Sequence, residues 1–133
     1  MNYLLDTHTL IWSLFAPERL DASVRDTIES QENDIAVSVV SFWEISLKFA
    51  MKKLDLYGIM PEDLPGYTEQ MDIEIIPIHY SEAASFYKLP RLEHKDPFDR
   101  MIVWQAIQRN RILISKDREI NKYQKFGLRT LWE

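Results

Sequence analysis

Short, almost purely apolar runs, each followed by a stretch with helical spacing, constrain this chain more than any other feature. Tyr3-Leu4-Leu5, Ile35-Ala36-Val37, Ile73 to Ile78 and Ile112-Leu113-Ile114 are four such runs, and Leu128 to Trp132 reads as a fifth. Continuous rather than alternating apolarity fits strands buried on both faces, which is the habit of parallel sheets. Helical spacing follows the first run through Leu10, Ile11, Leu14 and Phe15 and is broken by Pro17. Further helices are expected from Asp21 to about Ser30, Val39 to Lys53, Pro61 to Met71, Ser81 to just before Pro90, Pro97 to about Asn110, and briefly after Asp117. Asp96 is placed to cap the helix opened by Pro97. Strand and helix alternation of this kind predicts an α/β fold: a three-layer α/β/α sandwich around a mainly parallel central sheet of four to five strands. A length of 133 residues is that of one domain, so residues 1–133 are expected to form a single one.

That topology makes a geometric statement about four acids far apart in sequence. In a parallel sheet the C-terminal ends of the strands share one edge, and the helices that leave them begin there. Asp6 ends the first run, Glu44 lies about one turn into the helix after the second, and Asp99 is in the first turn of the helix leading to the fourth. Asp117 follows the fourth run by three residues. All four should meet on one edge, where sites in such sheets form. Each also has a purely structural reading. Asp6 and Asp117 suit helix N-caps, Asp99 suits the positive end of a helix, and Ser41-x-x-Glu44 has the spacing of a capping box. Glu44 is nevertheless hemmed in by Phe42, Trp43, Ile45 and Leu47, and an acid in such company needs a partner. Several carboxylates gathered on one edge repel one another unless a hard cation lies between them. Such clusters suit metal-assisted phosphodiester hydrolysis, where a divalent ion acidifies water and offsets charge on the phosphoryl group.

Composition narrows the alternatives. The absence of cysteine removes disulfides, thiolate nucleophiles and thiolate metal sites, and fits a reducing cytoplasm. The N-terminal segment lacks the basic region of a signal peptide, and no apolar run approaches the roughly 20 residues that span a bilayer. The net charge of −5 hides an asymmetry. Residues 1–87 carry 5 basic and 15 acidic side chains, whereas residues 88–133 carry 11 basic and 6 acidic. A basic flank beside an acidic pocket could hold a phosphate backbone, although solvated helix faces would read the same way.

Four segments together resemble a PIN domain, specifically the VapC-type toxin ribonucleases of bacterial toxin–antitoxin pairs. They are Tyr3-Leu4-Leu5-Asp6-Thr7-His8, Ser38 to Ile45 with Trp43-Glu44, His94-Lys95-Asp96-Pro97-Phe98-Asp99-Arg100, and Ile114-Ser115-Lys116-Asp117. The resemblance implies an endoribonuclease dependent on Mg²⁺ or Mn²⁺, with Asp6, Glu44 and Asp99 as core catalytic and metal-binding acids and Asp117 as a fourth, more variable one. It implies supporting roles for Thr7 and Ser115 around the metal or its water, and for Asp96 chiefly as a cap. It also implies a homodimer and a cognate antitoxin protein as partner, with RNA as substrate.

Other residues carry weaker expectations. Arg91 and Lys95, in the polar loop before the site, and Arg100, beside Asp99, are the candidate RNA contacts. His8 and His94 are expected in loop or surface roles, since no second histidine or cysteine completes a zinc pattern. Trp12, Trp43, Trp104 and Trp132 could stack on bases, but at least three are expected in the core. Two other function classes fit a small α/β sheet with acids on one edge. A phospho-acceptor signalling domain would need an acidic pair near the first strand and a lysine after the last, and this chain has neither. A non-enzymatic binding module, its acids serving only as caps, would bind no metal.

Overall fold

A computed structural model of the chain describes residues 1–132. Five strands form one sheet: β1 (Asn2–Leu5), β2 (Asp34–Ser38), β3 (Glu74–Ile76), β4 (Ile112–Ile114) and β5 (Arg129–Leu131). Six α-helices connect them: α1 (Thr7–Phe15), α2 (Ala22–Glu29), α3 (Val39–Ala50), α4 (Leu64–Gln70), α5 (Tyr80–Ser85) and α6 (Pro97–Gln108). The link between β4 and β5 is a nine-residue 3₁₀ segment, Arg118–Phe126. The strand order is β3-β2-β1-β4-β5 and every pairing is parallel. The expected α/β/α sandwich is therefore present, with five strands and an all-parallel rather than mainly parallel sheet.

Strand geometry explains the three layers. Successive side chains on a strand point to opposite faces. Tyr3, Leu5, Ile35, Val37 and Ile114 face one way, onto Leu10 of α1, Val24 and Ile28 of α2, Ile45 of α3 and Leu64 of α4. Leu4, Ala36 and Leu113 face the other way, onto Ile102, Val103 and Ala106 of α6 and onto Ile120 and Tyr123 of the 3₁₀ segment. Leu4 and Leu5 are completely buried, and they belong to the central strand. This is why β1 reads as an uninterrupted apolar run.

The chain adds β2 and β3 on one side of β1, then returns to place β4 and β5 on the other. The order reverses between β1 and β4, and at such a switch point the helices leaving the two strands diverge and open a crevice. Register fixes the edge: Leu5 lies opposite Val37 and Ile114, so β1, β2 and β4 end level. The Asp6 amide donates to the Ile114 carbonyl (3.2 Å), and the Thr9 hydroxyl donates to the same oxygen (3.0 Å). These bonds tie the two strand ends together at the switch point.

Several elements are shorter than the apolar pattern suggests, for local reasons. α3 ends at Ala50 rather than Lys53, because Lys52 takes a left-handed conformation (φ 58°) and the Lys53 amide closes back on Lys48. The span Pro61 to Met71 splits into a 3₁₀ turn, Pro61–Asp63, and α4; Pro65 is tolerated because it falls in the first turn of α4. β3 stops at Ile76, ahead of Pro77, which has no amide hydrogen to continue the ladder. Trp104 and Trp132 are buried and Trp12 is half-buried, whereas Trp43 is 62% exposed and rests edge-on against Phe98 (ring centroids 5.1 Å apart).

Candidate metal centre

Each acid reaches the edge through the local structure of its own element. Asp6 is the first residue after β1 and the N-cap of α1; its Oδ1 accepts from the Thr9 amide (2.8 Å), and it is only 6% exposed. Burial pushes the Asp6 carboxyl above its ordinary range, while hydrogen bonds from Ser115 and Thr9 and the nearby His8 offset part of that rise.

Glu44 is the most deeply placed acid, 1% exposed on α3. The capping-box reading of Ser41 and Glu44 does not hold. The N-cap of α3 is Ser38, whose hydroxyl accepts from the Val40 amide (3.1 Å), so Glu44 lies too far into the helix to reach its start. Instead the Thr7 hydroxyl donates to Glu44 Oε1 (2.6 Å), with the Ser41 hydroxyl 3.0 Å from Thr7. Lys48, one turn further along α3, donates to Glu44 Oε2. Burial alone would lower the Lys48 ammonium, but the Glu44 hydrogen bond and the charges of Glu44, Asp96 and Asp99 outweigh it and raise its pKa.

Asp99 is the hub. It sits in the first turn of α6, whose N-cap Asp96 accepts from the Phe98 amide (2.8 Å) and the Asp99 amide (3.3 Å) through Oδ1. Carboxylate oxygens of Glu44, Asp96 and Asp99 all lie within 4.8 Å of one another. A second group within the same reach joins Asp99 to His94 and to the exposed Asp117. His94 Nε2 is 3.3 Å from Asp99 Oδ2. The Asp99 carboxyl is pushed up to about 7, first by burial and then by the charges of Asp96, Glu44 and Asp6, with His94 pulling it partly back. Asp6 therefore acts on Asp99 through its field while standing outside both groups. Asp117 caps the 3₁₀ segment, with Oδ1 accepting from Glu119, and its own amide donates to the Ser115 hydroxyl (3.1 Å).

The donor set is carboxylate oxygens with one imidazole, and burial together with the neighbouring carboxylates disfavours the ionised form of Asp99. That is the condition a hard divalent cation relieves, and no soft ligand takes part. The arrangement can hold one such ion between Asp99, Glu44 and Asp96, or one between Asp99, His94 and Asp117.

The basic residues expected at the site behave differently from the acids. Arg100 follows Asp99 by about 100° around α6, and its Nη2 donates to the Leu89 carbonyl (3.1 Å) while the guanidinium covers Phe86. It is not brought to the acids. Arg91 and Lys95 are exposed in the loop before α6, and the Arg91 carbonyl accepts from the Tyr123 hydroxyl (3.2 Å). His94 lies in the loop before α6, as expected, but is half-buried there, edge-on to Tyr123 and beside Asp99. Lys48 was not singled out, although its spacing of four from Glu44 was a visible signal.

Comparison with known proteins points the same way. The family model described as PIN domain matches residues 3–125. Ribonuclease VapC22 of Mycobacterium tuberculosis is 28% identical over 129 residues, covering 97% of each chain. Among solved structures, the fold is similar to that of VapBC2 from Rickettsia felis bound to a DNA fragment from its promoter (TM-score 0.73, 18% identity, 100% of each chain). It is similar also to VapBC-1 from nontypeable Haemophilus influenzae (TM-score 0.66, 16% identity, 99% and 98% of the two chains).

Proposed function

The chain belongs to the PIN domain family, and on that premise we propose that it is a metal-dependent endoribonuclease acting as the toxin of a toxin–antitoxin pair, with residues 1–133 forming the one catalytic domain. The observation that carries this reading is the convergence of Glu44, Asp96 and Asp99 within 4.8 Å at the switch point of the sheet, with Asp6 and Asp117 beside them. Its relative from Mycobacterium tuberculosis bears the name ribonuclease. Another relative is described as a member of the VapBC family of toxin–antitoxin systems, which supports a protein antitoxin as partner here. A homodimer is part of the same proposal.

Asp99 with Glu44 and Asp96, or with His94 and Asp117, would hold Mg²⁺ or Mn²⁺; both ions favour oxygen donors and retain waters. The ion would supply Lewis acidity, lowering the pKa of water and neutralising charge on the phosphoryl oxygens. The chain's own residues do the positioning. Thr7 fixes one oxygen of Glu44, and His94 fixes one oxygen of Asp99. Asp6 holds the start of α1 against the end of β4, so the carboxylates approach on a rigid base. The burial of Asp6 and Glu44 limits competing water and strengthens the charge interactions they make. Arg91 and Lys95, exposed in the loop before α6, could meet an RNA backbone.

The test is cleavage of a mixed single-stranded and structured RNA pool by purified protein with Mg²⁺ or Mn²⁺. Cleavage is expected with either ion, to stop with a chelator, and to be lost in Asp6→Asn and Asp99→Asn variants that remain folded. Undiminished cleavage by either folded variant overturns the assignment.

A further inference from the structure

We infer that Lys48 is the resident counter-ion of the acid cluster in the metal-free protein, and that a divalent cation must displace its ammonium from Glu44 to bind. The inference rests on the reading of Glu44, Asp96 and Asp99 as a metal centre. Glu44 is 1% exposed, and a carboxylate that deep is tolerated only with partners for its charge. Both its oxygens are engaged by the protein, Oε1 by the Thr7 hydroxyl and Oε2 by Lys48 Nζ. Thr7 is neutral and 3% exposed, so it can stay in place when the charge on Glu44 is shared with another cation. Lys48 cannot stay without cost, because its ammonium is positively charged.

One of the three carboxylates that would hold the ion, Glu44, is the one paired with Lys48. Glu44, Asp96 and Asp99 approach within 4.8 Å of one another, and the ammonium lies in the field of all three. Two cations then share one set of anions. A dication gains more from the cluster than an ammonium does, and repulsion between them opposes joint occupancy. Lys48 has an exit. Its side chain is 37% exposed, on a flexible four-carbon stem at the rim of α3. No other basic side chain among the described residues is within ion-pair reach of Glu44, so Lys48 is the group that sets the cost of loading.

The consequence runs in two directions. Lys48 stabilises the empty site and weakens metal binding, and metal binding frees Lys48 by the same factor, since coupling is reciprocal. The experiment is calorimetric titration of Mn²⁺ into wild type, Lys48→Met and Lys48→Arg. Methionine keeps the stem and removes the charge. Lys48→Met is expected to bind Mn²⁺ about tenfold more tightly, the effect of about 1.4 kcal/mol of relieved repulsion, and to melt at a lower temperature than wild type in chelator. Lys48→Arg, which keeps a cation, is expected to bind no more tightly than wild type. Equal or weaker Mn²⁺ binding by Lys48→Met overturns the inference. Absence of Mn²⁺ binding by wild type overturns the metal reading beneath it, and the inference with it. Should Lys48→Met not fold, the ¹⁵N resonance of the Lys48 ammonium in wild type decides. Loss of its slow-exchanging, hydrogen-bonded signal on adding Mg²⁺ is expected, and persistence of that signal at saturating Mg²⁺ overturns the inference.

Discussion

Replacing Asp99 by asparagine should stabilise the metal-free protein at pH 8 while removing its response to metal. The Asp99 carboxyl is raised from an ordinary 3.8 to about 7, first by burial and then by the charges of Asp96, Glu44 and Asp6. A raised native value means that ionised Asp99 opposes folding. The penalty is absent below the unfolded value, grows as pH rises between the unfolded and native values, and is complete above about 7. A rise of about three pH units at 1.36 kcal/mol each is about 4 kcal/mol. Asp99 is 24% exposed in its side chain, so screening trims this to about 2–4 kcal/mol. Asparagine removes the charge and keeps an oxygen for His94 to meet. Urea unfolding in EDTA should therefore show Asp99→Asn more stable than wild type at pH 8, with the margin falling to less than half at pH 5, where only about the first third of the interval between the unfolded and native values has been crossed. With Mn²⁺ added at pH 8, wild type should gain stability and the variant little. A variant less stable at pH 8, or one whose gain is the same at both pH values, would refute the electrostatic account of the cluster.

Other perturbations test separate parts of the structure. Asp6→Asn retains a capping side chain for α1 and removes a buried charge, so its unfolding free energy in EDTA should change by less than about 1 kcal/mol, while RNA cleavage is lost in the same preparation. Thr7→Val leaves Glu44 Oε1 buried without its donor and should cost about 1–3 kcal/mol in chemical denaturation, whereas Thr7→Ser should restore most of it. Away from the site, Glu82 is 5% exposed and accepts from Arg109, Gln105 and the His79 amide. Burial works against its charge, but Arg109 and the two other donors win and hold the carboxyl below its ordinary 4.5. Its contribution is present above pH 4.5 and is lost as pH falls through the lowered native value. Glu82→Ala should therefore cost about 2–3 kcal/mol at pH 7, because it removes the carboxylate that Arg109 and Gln105 bind, and less at pH 3, as read by urea midpoints.

Much of this architecture is legible in the residues themselves. Tyr3-Leu4-Leu5 and Ile112-Leu113-Ile114 announce strands buried on two faces, and Asp96-Pro97 announces the start of α6 where it occurs. Strand ends then place Asp6, Glu44, Asp99 and Asp117 on one edge without knowledge of any contact. What the chain does not declare locally is which side chains meet there. Ser41 and Glu44 have capping-box spacing, yet Ser38 captures the helix start because the strand ends there, and Glu44 turns to Thr7 of another element. His94 meets Asp99 with its ring edge-on to Tyr123, a residue twenty-nine positions later. Arg100 is adjacent to Asp99 in sequence but points to Leu89 and Phe86, because neighbours on a helix face different directions. Trp43 resembles a core residue and is exposed, because α3 buries its Ile45 face against the sheet.

Crystals soaked in Mn²⁺ and measured at the manganese absorption edge would locate the ion without reference to activity. The anomalous peak is expected to be bounded by Asp99 and either Glu44 and Asp96 or His94 and Asp117, within about 2.0–2.4 Å of carboxylate oxygens, as hard divalent cations require. A peak elsewhere on the surface, or none at this edge of the sheet under conditions that support RNA cleavage, would contradict that expectation.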